Sequence, residues 1–155
     1  MDIDRLERLW VYVSAGVLLL FIAAIFYAAF GLGIQVNANQ EQIHPSEVEQ
    51  SELFSNPGVH EMAPGHYRVV MVARAWQFTP KEIRIPNNAQ IEFVMTSIDV
   101  IHGFRIPNTT VNVMLIPGQI TRVRYRFRDP GTYRFVCHEY CGTGHHLMEG
   151  VLIVE

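Results

Sequence analysis

The sequence has 155 residues, of which 49% are hydrophobic, and a formal net charge of −3. This length allows one modest domain with an additional segment. The small net charge, with no Lys/Arg-rich run and no phosphate-binding glycine loop, argues against nucleic acid as a partner. With only two cysteines, Cys137 and Cys141, the chain is not a disulfide-stabilised scaffold.

A long uncharged stretch near the N-terminus predicts a transmembrane helix over residues 9–35, after a short segment at 1–8. A helix needs about 20 mostly apolar residues to cross a bilayer. The alternative, a cleaved signal peptide, would have a shorter apolar core and a basic start, whereas residues 1–8 carry charges of both signs. We therefore expect an uncleaved, single-pass anchor.

The distribution of basic residues predicts how this anchor is oriented. Arg5 and Arg8 precede the uncharged stretch, and no Lys or Arg follows it until Arg68. The positive-inside rule then places the N-terminus in the cytoplasm and the remainder on the outer side of the membrane. For a bacterial cell this is the periplasmic side of the inner (plasma) membrane, an oxidising compartment.

Residues 36–66 are predicted to form a connector, because they are polar and contain three prolines, five acidic residues and no Lys or Arg. A short helix over residues 45–54 is possible, with Ser46 near its cap. From residue 67 to 155 short stretches rich in β-branched and aromatic residues alternate with turn signals, which predicts an antiparallel sandwich or barrel. The expected strands are 67–73, 82–85, 91–96, 111–115, 121–127, 132–136 and 151–154.

The clearest strand signal is the alternation of arginine and apolar residues over positions 122–128. Either this basic face meets acidic groups on a partner, or it is merely a solvated strand face.

The stretch from Cys137 to Met148 collects side chains that bind soft metal ions. It contains two cysteines, three histidines and a methionine, and His102 lies upstream in an Asp-Val-Ile-His run. Thiolate, imidazole and thioether ligands favour copper over magnesium, calcium or manganese. A mononuclear blue-copper site uses two His, one Cys and a weak axial Met. The second cysteine adds the bridging thiolate that a paired copper centre requires.

Other interpretations exist for each ligand taken alone. The cysteines could form a disulfide or bind zinc, His102 could be structural, and Met148 could fill the core. A disulfide, however, does not account for the His–Met pair at a fixed distance after Cys141.

The pattern Cys-x-Glu-x-Cys-x-x-x-His-x-x-Met, with Asp-Val-Ile-His upstream, closely resembles the CuA motif of cytochrome c oxidase subunit II. The resemblance covers residues 67–155 and implies an all-β cupredoxin-like Greek-key sandwich or barrel after one transmembrane helix. It also implies a binuclear copper centre, CuA, in which Cys137 and Cys141 bridge the metals. By the same resemblance, His102 and His145 each bind one copper. Met148 is a weak axial ligand to one copper, and the backbone carbonyl of Glu139 is axial to the other.

The resemblance implies further roles and has two departures. The side chain of Glu139 would bind magnesium at the boundary with subunit I, and His138 and His146 would be bystanders. Most family members have two membrane helices, whereas this chain has one, as in B-type oxidases of thermophilic bacteria. The aromatic cluster used by many members for electron entry is reduced to the surroundings of Trp76, which is either an entry residue or a core tryptophan.

The implied function is the electron-entry subunit of a membrane-bound heme–copper oxidase. Single electrons would arrive from a soluble cytochrome c or small copper protein and pass to heme in subunit I, where oxygen is reduced. The alternatives are a subunit of a nitric oxide reductase that retains the copper pair and a stand-alone tethered cupredoxin. The copper domain of nitrous oxide reductase is also similar, but the large domain that normally precedes it does not fit into 155 residues.

Overall fold

A computed structural model describes residues 3–31 and 41–155 of the chain. The chain divides into two compact units, residues 1–39 and residues 40–155. The first contains a helix and the second contains all the described strands.

Helix α1 spans Ile3–Phe26 and continues into a π-helical turn at Tyr27–Gly31. The helical stretch from Asp4 to Gly31 is long and apolar enough to cross a membrane. It begins earlier than the predicted residue 9, because charged residues also form helix and Asp4 lies in the first turn, where an acidic side chain is favourable. Residues 32–35 of the predicted helix lie outside the described part of the chain.

Ten strands form two five-stranded sheets in the second unit. The first sheet has the order β1-β2-β5-β8, with β3 paired to β2, and the second has the order β4-β10-β9-β6-β7. Their bounds are β1 Gly58–Ala63, β2 His66–Arg74, β3 Gln77–Thr79, β4 Glu82–Ile85, β5 Gln90–Ser97, β6 His102–Arg105, β7 Asn112–Leu115, β8 Thr121–Arg126, β9 Gly131–Val136 and β10 Glu149–Val154.

The sheets are mixed, which corrects the expectation of a purely antiparallel fold. Strands β2 and β5 are parallel, and so are β4 and β10, whereas the other pairs are antiparallel. A parallel pair needs a crossover connection. Between β2 and β5 the chain supplies it through β3 and through β4, which belongs to the second sheet.

A cluster of phenylalanines forms the centre of the core between the sheets. Phe78, Phe93, Phe104 and Phe135 are fully buried, with neighbouring ring centroids 5.3–5.7 Å apart. Aromatic groups at such separations pack favourably beyond the effect of area burial alone. This core holds β6 and β9 side by side in the second sheet.

Residues 41–55, which we call the N-terminal strap, are packed rather than a free connector. A 3-10 helix spans Pro45–Gln50, and its N-terminal cap is His44, whose ring accepts from the N–H of Ser46, the residue expected near the cap. Val48 and Phe54 are buried in a second apolar cluster with Val70 and Val72 of β2. The expectation of a connector over 36–66 therefore does not hold for residues 41–55, nor for β1, which pairs with β2. Two apolar residues in a polar stretch were too weak a signal to predict this packing.

The arginine alternation on β8 is present as predicted, since Arg122, Arg124 and Arg126 are exposed while Val123 and Tyr125 pack against the core. Within the sheet, however, Glu92 of β5 forms ion pairs with Arg122 and Arg124, and Glu41 of the strap also pairs with Arg122. The basic character of this face is therefore partly neutralised by the chain itself.

Candidate metal centre

Two neighbouring strands and one loop bring the predicted ligands together. His102 opens β6, and Cys137 directly follows β9, which lies beside β6. The loop from Cys137 to Met148 connects β9 to β10 and is closed by a hydrogen bond from the Cys137 N–H to the Met148 carbonyl at 3.0 Å. A 3-10 turn at His145–Leu147 completes the loop.

The two cysteine sulfurs lie at the centre of the site, 3.8 Å apart. A disulfide requires about 2.0 Å between sulfurs, and both cysteines are free and buried. With His102 they form a buried group whose potential ligand atoms all lie within 4.8 Å of one another. The geometry is that of two thiols sharing one cavity.

Each thiol has its own imidazole. Nδ1 of His102 lies 3.9 Å from the Cys137 sulfur, and Nδ1 of His145 lies 3.5 Å from the Cys141 sulfur. The two neutral groups expected as axial ligands are also shared out, one beside each thiol. The Glu139 carbonyl is 3.2 Å from the Cys137 sulfur, and the Met148 thioether is 3.6 Å from the Cys141 sulfur.

The site therefore has two similar halves, each with a thiol, an imidazole and a weaker donor. One tetrahedral zinc ion would need only four of these groups, and sulfur-rich sets that include a thioether favour copper. The donor set of this structure thus fits copper.

Asp99 connects the His102 side of the site to a neighbouring loop. His102 Nε2 donates to Asp99 Oδ1 at 2.9 Å, which leaves Nδ1 facing Cys137. The same carboxylate accepts backbone N–H groups from Val100 and from Ala75, which follows β2. Such a partner fixes the tautomer and orientation of a ligating histidine. The sequence motif included Asp99, but its role was not predicted, because the contact with Ala75 is made only in the fold.

The two thiols differ in acidity in the absence of metal. Burial raises the pKa of both, but for Cys137 this is outweighed by hydrogen bonds to His102 and to backbone groups, which lower the pKa to about 6. Burial and the neighbouring Cys137 raise the pKa of Cys141 to about 12. The pair as a whole therefore loses its first proton more readily than an isolated buried thiol would, and its second proton less readily.

Trp76 lies against the ligand loop with 44% of its surface exposed. Its indole N–H donates to the Cys141 carbonyl at 3.1 Å. A Cβ atom at Gly142 or Gly144 would come within 2.9 Å of the indole, so both glycines are needed for this close approach. Trp76 is thus a partly exposed side chain in contact with the loop, and it is not a core tryptophan.

The other two histidines of the ligand loop, His138 and His146, lie outside the two halves of the site. His138 is exposed, its ring lies over Gly103, and its Nε2 is 3.2 Å from the Val113 carbonyl. His146 is also exposed, on the 3-10 turn. Among the described residues neither is hydrogen-bonded to a cysteine sulfur, whereas Nδ1 of His102 and Nδ1 of His145 each face one.

Six exposed apolar side chains lie near the proposed ligands. Each member of this group, which we call the apolar rim, lies close in sequence to a ligand, contacts the ligand loop or pairs with β6. The rim consists of Trp76, Val100, Ile101, Met114, Tyr140 and Leu147.

Fold and site together define the chain as a cupredoxin-like copper-binding protein with one N-terminal apolar helix. Comparison with known proteins specifies the family, because residues 58–154 match the family model described as "Cytochrome C oxidase subunit II, periplasmic domain". The chain belongs to the cytochrome c oxidase subunit II family, whose members are part of an oxidoreductase complex.

Individual relatives agree with this assignment. A cytochrome c oxidase subunit 2 of Thermus thermophilus is 38% identical over 96% of this chain and 91% of the relative. A chain from a cryo-EM structure of a heme–copper terminal oxidase dimer matches 96% of this chain and 99% of its own length, with 35% identity and a TM-score of 0.63. The periplasmic domain of oxidase subunit II from Bradyrhizobium japonicum, at 22% identity, covers 57% of this chain and 83% of its own length, with a TM-score of 0.53, and supports the fold. The predicted resemblance is confirmed, and among the alternatives the oxidase subunit is supported.

Proposed function

We propose that this subunit holds a binuclear CuA centre through six groups and that this centre is the electron-entry point of the oxidase. The observation that carries the proposal is the division of the ligands into two matching halves around thiols 3.8 Å apart. A mononuclear site would leave one imidazole and one thiol without a function. When bound, a copper pair bridged by two thiolates supplies a one-electron carrier.

In this proposal the chain's residues hold the metals with little freedom to move. Cys137 and Cys141 would hold both coppers through their thiolates, and His102 and His145 would each hold one. Met148 and the carbonyl of Glu139 would complete the set as weaker donors. His102, Cys137, Cys141 and Met148 are all buried, so both water and ligand rearrangement are restricted.

We assign Trp76 to the path by which electrons enter. The indole is partly exposed to an incoming donor, and its N–H bonds directly to the carbonyl of the bridging residue Cys141. This hydrogen bond links the surface to a bridging ligand through a short chain of bonded atoms.

The donor is proposed to be a soluble cytochrome c or small copper protein with an apolar docking face. The apolar rim would be a complementary surface for such a donor, since its members are large and exposed but carry no charge. Of the four arginines at positions 122–128 that the sequence suggested as a basic face, Arg122 and Arg124 are engaged by Glu41 and Glu92 within the chain. This partial neutralisation favours the rim as the candidate surface for the donor.

Two further assignments extend the proposal to the assembled enzyme. The half-buried side chain of Glu139 is available, as the middle residue between the bridging cysteines, to bind magnesium if subunit I supplies the other ligands. Arg5 and Arg8 at the start of α1 support a cytoplasmic N-terminus, with the copper domain on the periplasmic side of a bacterial inner membrane.

The copper content and electron paramagnetic resonance spectrum of the full chain test the binuclear assignment. Two coppers per chain, with hyperfine structure from one electron shared over both nuclei, are expected. His145→Ala should abolish this pattern, whereas the matched variant of the neighbouring exposed residue, His146→Ala, should retain it. One copper per chain with a single-nucleus pattern would refute the proposal.

A further inference from the structure

His138 and Met114 lie side by side on the outer surface of the second sheet, next to the proposed copper centre. Gly103 of β6 is directly opposite Met114 of β7 in the strand register. A Cβ atom at Gly103 would lie only 2.5 Å from the His138 ring. The imidazole therefore occupies the place that a side chain at position 103 would take.

The register fixes which face of the sheet these groups share. Directly opposite residues in an antiparallel pair point to the same face, with Cβ atoms about 4.5–5.5 Å apart. The neighbouring pairs His102–Leu115 and Phe104–Val113 point inward, since His102, Phe104 and Leu115 are fully buried. Gly103 and Met114 consequently face outward, and the His138 ring, which covers Gly103, lies on the same face of the sheet as the Met114 side chain.

The hydrogen bonding of His138 leaves one ring nitrogen free for a ligand. Its Nε2 is 3.2 Å from the Val113 carbonyl, which can only accept, so Nε2 carries the proton in this bond. In the neutral imidazole Nδ1 then has an available lone pair. Both His138 and Met114 are exposed to solvent.

From this arrangement we infer that His138 and Met114 form a surface site for Cu(I), through which copper is loaded into the buried centre. An imidazole nitrogen and a thioether sulfur suit a soft monovalent ion. His138 is the immediate neighbour of the bridging residue Cys137, so an ion held there is one residue away from its final ligand. The role in loading rests on the proposed CuA centre, whereas the ion-binding site itself does not.

Transfer from this site involves ligand exchange and no change of oxidation state. Cu(I) leaves the imidazole nitrogen and the thioether and binds the Cys137 sulfur, and any proton on that thiol is released to solvent. No oxidant or reductant is consumed.

Silver(I), a redox-inert monovalent ion, tests the site in the full-length chain. The centre is first loaded with copper and reduced, so that its own ligands are occupied. One additional Ag(I) per chain is expected, with a shift of the Met114 methyl resonance. Met114→Leu, which removes the sulfur at nearly constant shape, and His138→Gln, which retains an N–H donor, should each weaken this binding by about tenfold or more.

Matched variants control for non-specific binding. Met62→Leu removes another exposed methionine, on β1, and His146→Gln removes another exposed histidine of the ligand loop. Both should retain the additional Ag(I). Equal binding by all four variants, or no additional Ag(I) at all, would overturn the inference.

A rate measurement tests the loading role separately. Copper-free chain is mixed with Cu(I) held by a coloured competing chelator, and filling is followed by the loss of absorbance of the Cu(I)–chelator complex. Met114→Leu should slow filling while the final copper content stays the same. An unchanged rate would reject the loading role, whereas a final content below two coppers in the wild-type chain would instead refute the proposed centre.

Discussion

At the scale of single residues, the site depends on groups that contact the ligands without binding metal. Asp99 orients His102, and Trp76 contacts the Cys141 carbonyl. Both approach from loops outside the Cys137–Met148 segment, and both act through polar contacts with buried or partly buried groups. Replacing either residue should change the reduction potential of the centre or the rate of electron entry while the ligand set stays intact. Such effects can therefore be distinguished from a failure to fold.

Replacing Asp99 by asparagine is expected to raise the reduction potential of the copper centre. The carboxylate beside the His102 N–H strengthens the imidazole as a donor and favours the more positive, oxidised state. Loss of its charge should raise the potential by roughly 20–60 mV, where about 60 mV corresponds to tenfold for one electron. A redox titration of Asp99→Asn would show the shift. Asp129→Asn, at an exposed carboxylate on the β8–β9 turn, is the control.

Replacing Trp76 should slow electron entry without changing the centre. Trp76→Leu removes the aromatic ring and the indole N–H, and loss of an aromatic anchor at an interface commonly costs about 1 kcal/mol or more, which is roughly fivefold or more in rate or affinity. Stopped-flow reduction by a soluble cytochrome c measures the rate, and the paramagnetic resonance spectrum checks the centre. Normal entry in Trp76→Leu with an intact spectrum would remove Trp76 from the entry path.

At the scale of elements, Glu92 connects three strands of the first sheet. From β5 its carboxylate pairs with Arg68 on β2 and with Arg122 and Arg124 on β8. Its side chain is only 17% exposed. Burial raises the pKa of Glu92, but hydrogen bonds from Arg124 and Arg68 outweigh burial and leave the pKa below its ordinary value.

Glu92→Gln should therefore destabilise the domain by about 1–2 kcal/mol at neutral pH, as expected for losing charge-assisted hydrogen bonds. Because the folded-state pKa is depressed, this stabilisation is fully present above the ordinary value of 4.5 and is lost as pH falls through the folded value. Urea unfolding of wild type and variant across this range should show the two curves converging at low pH. Glu82→Gln, which breaks an exposed ion pair with Arg84, should have little effect at any pH.

The sequence predicted elements best where the signal was local. The alternation on β8 and the apolar runs of β2, β5 and β10 identified these strands. Strand β6 was missed because His-Gly-Phe-Arg has no β-branched residue, although it carries the proposed ligand His102. The parallel pairing of β2 with β5 depends on a crossover between sheets, which no local pattern specifies.

The sequence specified a candidate site in more detail than the fold around it, because metal ligands are constrained in both type and spacing. The Cys137–Met148 loop placed most of its ligands within twelve residues. Contacts between distant segments were not predictable in the same way. The fit of Trp76 against Gly142 and Gly144, and the covering of Gly103 by His138, require the folded arrangement of separate loops and strands.

At the scale of the whole molecule, the second unit carries both an ion-paired surface on its first sheet and the uncharged side chains of the apolar rim. Arginine and glutamate pair across β2, β5 and β8, whereas the rim around the ligands has large uncharged side chains. A donor approaching the rim would be held by apolar contact more than by long-range attraction. This arrangement leads to a prediction about salt.

The rate at which a soluble cytochrome c reduces the assembled oxidase should depend only weakly on ionic strength. Steering between strongly charged faces is screened steeply by salt, since the Debye length falls from about 30 Å at 0.01 M to about 10 Å at 0.1 M. Apolar docking lacks this sensitivity. Introducing charge by Ile101→Glu should slow reduction and make it salt-dependent, whereas Met62→Glu, at an exposed residue of β1, should do neither. A steep salt dependence in the wild-type enzyme, unaffected by Ile101→Glu, would place donor docking on a charged surface away from the rim.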